Sequence, residues 1–133
     1  MKVIVDTSIW SLALRRKYYS PESHFLELLV EDFRVVMIGP IRQEILSGIA
    51  DPKQLRNLKE HLSHFPDSSI NTEHYELAAK FYNDCRKKGV QGSHVDFLIC
   101  AVASYYDYSI YTIDKDFEYY SLHIPIKLLA SSS

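Results

Sequence analysis

The chain has 133 residues, 47% of them hydrophobic and 24% charged, with only four Gly and five Pro. This is the make-up of one soluble globular domain, expected over residues 1–130 with a disordered tail at 131–133, and it excludes fibrous, repeat and disordered architectures. A net charge of −2 argues at first sight against a nucleic-acid partner, and no apolar run nears the roughly 18 residues of a membrane span.

In chain order, "KVIV" (2–5) is a short β-branched run that reads as a buried strand. It stops at Asp6, too early to be the apolar stretch of a secretion signal. Asp6, Thr7 and Ser8 supply capping chemistry for a helix to about Arg16. Ser20 before Pro21 marks the next helix, since Pro suits the first helical position, and Phe25, Leu28, Leu29 and Phe33 give it an apolar face. "RVVMI" (34–38) reads as a second strand, ended by Gly39-Pro40. Ile41, Ile45 and Ile49 begin a new helical face, Pro52 breaks it, and a further helix covers 53–63. Thr72 opens a long helix to about Lys88, closed by Gly89, and Ser93 opens another to about Tyr106. "YSIYTI" (108–113) is a third strand, "DKDFEYY" (114–120) a turn or short helix, and "IPIKLL" (124–129) the last strand. Helices alternating with short apolar strands predict an α/β fold, a mostly parallel central sheet covered by helices on both faces. Cys85 and Cys100 fall in helical stretches, which suggests buried thiols in a reducing cytoplasm, with one disulfide as the alternative.

In such sheets ligands bind beyond the carboxyl ends of the strands, and that is where acids fall. Asp6 follows the first strand and Asp114 the strand at 108–113, while Glu44 and Asp96 lie in the first turns of helices. Each has an ordinary structural account. Asp6 and Asp114 could cap helices, Ser93 and Asp96 have capping-box spacing, and the helix dipole favours Glu44. Together, on one predicted face, the four acids would repel and raise one another's pKa. A hard divalent cation, Mg²⁺ or Mn²⁺, relieves that repulsion. If Asp116 joins the set, five of the 17 acids are neutralised and 12 remain against 15 Lys and Arg. The basic stretches Arg15-Arg16-Lys17 and 86–88, and Arg42, then become candidate phosphate contacts, although a solvated helix end is their ordinary reading.

Other chemistries fit poorly. No Gly-rich phosphate loop followed by Lys-Ser/Thr is present, and no G-x-S-x-G elbow. Asp6-Thr7-Ser8 lacks the second Asp of an aspartyl-phosphate enzyme. His61 and His64 have no nearby Cys or third His to complete a zinc site. His94, close to Asp96, is a candidate substrate contact.

The segments "VIVDTSIW" (3–10), "PIRQEILSG" (40–48), "SHVDFLICAVA" (93–103) and "YTIDKDF" (111–117), in that order, resemble the four signatures of the PIN-domain nucleases. Spacing and length most resemble the VapC-type toxins of bacterial and archaeal toxin–antitoxin pairs, over essentially the whole chain. The resemblance implies a three-layer α/β/α fold and a metal-dependent ribonuclease. Its acidic quartet corresponds to Asp6, Glu44, Asp96 and Asp114, with Asp116 an occasional additional acid and hydroxyl neighbours at Thr7 and Thr112. Arg42 and Gln43 depart from relatives that are often apolar or small there.

On this reading Asp6, Asp96 and Asp114 hold Mg²⁺ or Mn²⁺, and Glu44 reaches the metal directly or through water. Ser8 and Thr112 orient the carboxylates, and Arg15, Arg16, Lys17, Arg42 and Lys115 contact RNA. Water attacks the phosphodiester and leaves a 5′-phosphate and a 3′-hydroxyl. The expected partners are RNA, a cognate antitoxin that sets an Arg against the carboxylates, and a second copy paired through the faces around Ile41–Ile49 and Leu77–Phe81. Asp114 is expected at the carboxyl edge beside Asp6, provided their strands are neighbours. Two other readings stay open: a non-catalytic nucleic-acid-binding or regulatory module that stacks bases on tyrosines, and a metal-dependent phosphohydrolase of small phosphates.

Overall fold

The computed structural model describes residues 1–14 and 20–130. Arg15, Arg16 and Lys17, and the tail expected at 131–133, lie outside the described residues. Among the described residues the strands are β1 (Val3–Val5), β2 (Val35–Val36), β3 (Ser109–Tyr111) and β4 (Lys127–Leu128), in the sheet order β2-β1-β3-β4. Every pairing is parallel, with Ile4 opposite Val36 on one side and Ile110 on the other, and Ile110 opposite Leu128. Parallel neighbours cannot be joined by a hairpin, so every connection crosses over through helices. Those are α1 (Thr7–Leu14) and α2 (Pro21–Glu31), then α3 (Gly39–Leu46), α4 (Pro52–Leu62), α5 (Thr72–Lys87) and α6 (His94–Tyr106), and finally α7 (Asp116–Ser121).

The helix starts are local chemistry. Ser20, Asp51 and Ser93 each accept the backbone N–H three residues on, from Ser23 at 3.1 Å, Gln54 at 3.0 Å and Asp96 at 3.0 Å. Each bond satisfies a donor that the first helical turn leaves orphaned. Gly39-Pro40, expected to end a strand, opens α3 instead, because Pro needs no N–H donor in a first turn. The same helix stops before Ile49, at Gly48 in the left-handed region with φ +86°.

Val3, Ile4 and Val5 are wholly buried, each worth about 1.5–3 kcal/mol as apolar side chain withdrawn from water. They lie under α6, which packs on both β1 and β3 and is buried from Phe97 to Ala103. Of the faces expected to pair two copies, Ile41, Ile45 and Phe81 are buried in the chain's own core, while Ile49 and Leu77 are half-buried. Cys85 and Cys100 are free and buried, and burial first of all pushes both thiols up, which leaves them poorly nucleophilic. No helix among the described residues is long and apolar enough to cross a membrane.

Arg42 corrects another expectation. Rather than standing at a site rim, its guanidinium donates to Asp67 at 2.9 Å, to the Leu62 carbonyl at 3.0 Å and to the Phe65 carbonyl. It ties α3 to the segment after α4, which also bridges to Met37 beyond β2 through Asp67. Removing such a fork strands the Phe65 carbonyl and the Asp67 carboxylate, the Leu62 carbonyl keeping the Phe65 N–H, so Arg42→Ala is expected to cost about 1–3 kcal/mol. Arg42→Lys should recover little of it, because an ammonium cannot reproduce the planar fork. Urea midpoints of the three proteins test this, and a wild-type midpoint for Arg42→Ala would refute it.

The chain leaves β1 for β2 on one side and later reaches β3 on the other. The strand order therefore reverses between β1 and β3, which opens a crevice at their carboxyl ends.

Candidate functional site

The β1–β3 ladder runs one step past β1, where the Asp6 N–H donates to the Tyr111 carbonyl at 2.9 Å. Asp6 thus leaves the sheet at the crevice, 6% exposed, and its carbonyl starts α1 by accepting from Ile9 and Trp10. The residue that flanks it across the ladder is Thr112, not Asp114. β3 ends at Tyr111, two residues sooner than expected, because side-chain hydroxyls capture the next backbone donors. The Asp114 N–H donates to Thr112 Oγ1 at 2.9 Å and the Ile113 N–H to Ser8 Oγ at 3.2 Å. With their lone pairs so engaged, both hydroxyls donate to Asp6 Oδ2 at 2.8 Å. The loop after β3 is wired to the Asp6 carboxylate.

Asp114 is half-buried, and its Oδ1 accepts from the Asp116 N–H at 3.0 Å, where α7 begins. Asp116, the first residue of α7, and Lys115 are exposed. Asp96 sits half-buried in the first turn of α6, and its Oδ2 accepts from the Tyr120 hydroxyl at 2.7 Å. Glu44 is exposed on α3, and its Oε1 accepts from the Thr7 hydroxyl at 2.7 Å. Every one of the four carboxylates therefore has one oxygen tethered by the protein. The other oxygen of Asp6, Glu44 and Asp114, that is Oδ1, Oε2 and Oδ2, has no donor among the described residues, while the Asp96 carboxylate also has the Ser93 hydroxyl beside it. Among the described residues none of the four is ion-paired, the pairs there being Arg42–Asp67, Lys80–Asp84 and Lys127–Asp107. His94, at the head of α6, stacks on Tyr82 with ring centroids 5.1 Å apart.

Lost hydration pushes the Asp96 carboxyl above its ordinary value; the Tyr120 and Ser93 hydrogen bonds pull it back, and the charges of Asp114 and Asp6 raise it again. Asp6 and Asp114 are thus both within electrostatic reach of Asp96, while Glu44 is not among the charges that act on it. Burial, and then the Asp96 carboxylate, hold the Tyr120 phenol well above its ordinary value, so it remains a donor. For Asp96 the raised folded pKa means that stability is fully present below the ordinary carboxylate value, 3.8. It is lost as pH rises through the raised value. In metal-free protein, Asp96→Asn should therefore gain on wild type as pH climbs from below 3.8 to neutral. Denaturant midpoints across that range check it, and parallel curves would contradict it.

Could these residues hold a cation? All the open donors are carboxylate oxygens, the chemistry of a hard divalent ion, and their mutual repulsion calls for one. Among the described residues, however, no three His, Cys, Asp or Glu side chains are gathered tightly enough to enclose a metal ion. The set fits an ion that keeps part of its water shell, as Mg²⁺ does, rather than an all-protein cage.

Grooves adjoin two of the acids. One of about 830 Å³ includes Glu44, Ser11, Gln54, Asn57 and His61 in its walls. Another of about 500 Å³ is walled by Thr112, Asp114, Lys115, Glu118 and Leu128.

Two residues of this site escape a reading of the sequence. Tyr120 occupies the apolar phase of a six-residue helix and reads as core, which it also is. Gly92, just before the Ser93 cap, reads as a loop glycine. A Cβ there would lie 2.3 Å from the Tyr120 hydroxyl oxygen and 2.9 Å from the Phe97 ring. No sequence signal marks either contact.

Residues 3–121 match the family described as PIN domain. No curated protein matches the chain. Among solved structures, it is similar to FitAcB from Neisseria gonorrhoeae, with 18% identity, 98% of each chain covered and a TM-score of 0.79. It is also similar to VapBC2 from Rickettsia felis bound to a DNA fragment from their promoter, at 17% identity over 97% of this chain and 98% of that one, TM-score 0.80. DNA-bound VapBC from Salmonella typhimurium has 17% identity over 98% of both chains and a TM-score of 0.79. At these identities the likeness is one of fold.

Proposed function

This chain belongs to the PIN domain family, and from that premise we propose that it is a metal-dependent ribonuclease, the toxin of a type II toxin–antitoxin pair. Residues 1–130 form its nuclease unit, acting in the cytoplasm. The observation that carries the reading is the set of four carboxylates, each held by a hydrogen-bond donor of the protein and none of them ion-paired with a described residue.

Asp6, Asp96 and Asp114 would hold Mg²⁺ or Mn²⁺ through their carboxylates, with Glu44 joining directly or through water. Such an ion, when bound, lowers the pKa of water and neutralises charge that develops on a phosphate. The chain's own residues do the positioning. Ser8, Thr112 and Thr7 fix the carboxylates, since their hydroxyls already donate to Asp6 and Glu44. For the same reason none of these hydroxyls is a free nucleophile, and water is the group that attacks. Attack on phosphorus with departure of the 3′-oxygen leaves a 5′-phosphate and a 3′-hydroxyl. Two grooves, one walled in part by Glu44 and the other by Asp114, suit a chain that continues past the scissile bond better than a small phosphate. Lys115 is the exposed cation on that rim available to the RNA backbone.

Two further assignments belong to this proposal. A cognate antitoxin would set an Arg against the unpaired carboxylates, since a bidentate guanidinium supplies the missing countercharge. Two copies would pair as a closed homodimer, with the exposed Tyr75, Tyr105 and Tyr106 of α5 and α6 as the apolar surface left over for it.

Digestion of an unstructured 5′-labelled RNA with Mg²⁺ and with EDTA tests the central reading. Cleavage in Mg²⁺ alone, with 5′-phosphate products, is expected. RNA binding without cleavage would instead point to a regulatory module, and phosphate release from monoesters without RNA cleavage to a phosphohydrolase.

A further inference from the structure

Tyr120 is wholly buried, its ring tilted against Phe97 at 4.7 Å and edge-on to Phe117 at 5.2 Å. A phenylalanine would fill that space equally well. The hydroxyl is therefore not there for packing, and it points at one atom, Asp96 Oδ2, 2.7 Å away. Room for it exists only because residue 92 has no side chain: a Cβ would come within 2.3 Å of the hydroxyl oxygen and 2.7 Å of the carbon bearing it. The ring cannot swing clear, being enclosed by two other aromatic rings.

The hydroxyl comes from α7, the helix whose first residue donates its N–H to Asp114. One short helix is thus held by Asp114 at its start and holds Asp96 near its end. Neither Tyr120 nor Gly92 falls within the four sequence segments that carry the family resemblance, so neither is accounted for by them.

We propose that Tyr120 is a positioning residue for the acidic site: its buried hydroxyl fixes the Asp96 carboxylate so that Oδ1 faces the crevice shared with Asp6 and Asp114, and Gly92 provides the clearance that this hydrogen bond requires. The inference rests on the reading of those acids as cation ligands. A neutral hydroxyl donor holds a ligating carboxylate in one orientation without competing for its charge, and loss of such a partner typically lowers metal affinity about 10–100-fold. Because the donor acts through Asp96, its effect must vanish when Asp96 no longer offers a charged oxygen.

A double-mutant cycle on the full chain, read by metal binding without substrate, tests this. The Mg²⁺ concentration that gives half-maximal thermal stabilisation is measured for wild type, Tyr120→Phe, Asp96→Asn and the double variant. Tyr120→Phe should raise it about 10-fold or more, with little change in the EDTA melting temperature, and should have no further effect in the Asp96→Asn background. Gly92→Ala, which crowds the hydroxyl without removing it, should weaken metal binding in the same direction. If wild type and Tyr120→Phe bind Mg²⁺ alike, or if the loss persists undiminished in the Asp96→Asn background, the assignment is wrong while the cation site stands. If Mg²⁺ stabilises none of the proteins, wild type included, both the assignment and the reading beneath it fall.

Discussion

Asp6→Asn is expected to slow RNA cleavage about 10³-fold or more, since a charged ligand at the reacting centre carries several kcal/mol and each 1.36 kcal/mol is tenfold in rate. The metal-free variant should be as stable as wild type or more so. The reason lies in how residue 6 is held. The amide oxygen of Asn can still accept from the Ser8 and Thr112 hydroxyls that meet Asp6 Oδ2 at 2.8 Å, so the loop after β3 keeps its anchor. What disappears is a negative charge that acts on Asp96. Asp6→Ala is different: it leaves two hydroxyls without an acceptor and should cost about 1–3 kcal/mol. Single-turnover cleavage at equal folded concentration, with denaturant midpoints in EDTA, separates charge from scaffold. An Asp6→Asn protein with more than a tenth of wild-type activity would sink the role given to Asp6.

The second large effect is an asymmetry between two acids two residues apart. Asp114→Asn should cut cleavage by orders of magnitude, while Asp116→Asn should cut it only several-fold. Asp114 Oδ1 accepts the N–H of the first residue of α7, and its Oδ2 has no donor among the described residues. The amide oxygen of Asn can still accept that N–H, so the substitution removes a ligand charge and keeps the helix. Asp116 is exposed at the first position of α7, where its carboxylate complements the helix dipole and makes no hydrogen bond to the described residues. Helical content of both variants by circular dichroism should match wild type. A dead Asp116→Asn beside an active Asp114→Asn would mean that the functional carboxylate at this corner has been misassigned.

How far the sequence speaks depends on the range of the interactions. Ser20-Pro21 and Ser93 are legible as helix starts because a cap needs only the next three residues, whereas Pro52, read as a breaker, opens α4 behind an Asp51 cap. Asp6 and Asp96 are legible because one directly follows a strand and the other opens a helix, positions that a parallel sheet gathers at one edge. Glu44, expected in a first turn, lies in the second half of α3, and Asp114 stands three residues beyond the end of β3. The end of β3 is not legible. It is set by Ser8, more than a hundred residues away, competing for the Ile113 N–H. Gly39-Pro40 reads as a breaker, yet the extended Ile38 before it turns the pair into a helix opening. Arg42 reads as a free cation until α4 brings Asp67 and two carbonyls to it. The Tyr120–Asp96 bond and the Gly92 clearance depend on how closely α7 approaches the start of α6, which no local pattern encodes.

In the proposed nuclease these carboxylates stay uncompensated until a divalent cation joins them. Thermal melting of the full chain in EDTA and in Mg²⁺ at a hundredfold excess over Kd measures it directly. Binding to the native state alone adds about 2.7 kcal/mol, which for a chain of this size should raise the melting temperature by roughly 10 °C. The same Mg²⁺ should raise that of Asp6→Asn far less. Equal melting temperatures for the wild type in EDTA and in saturating Mg²⁺ would contradict it.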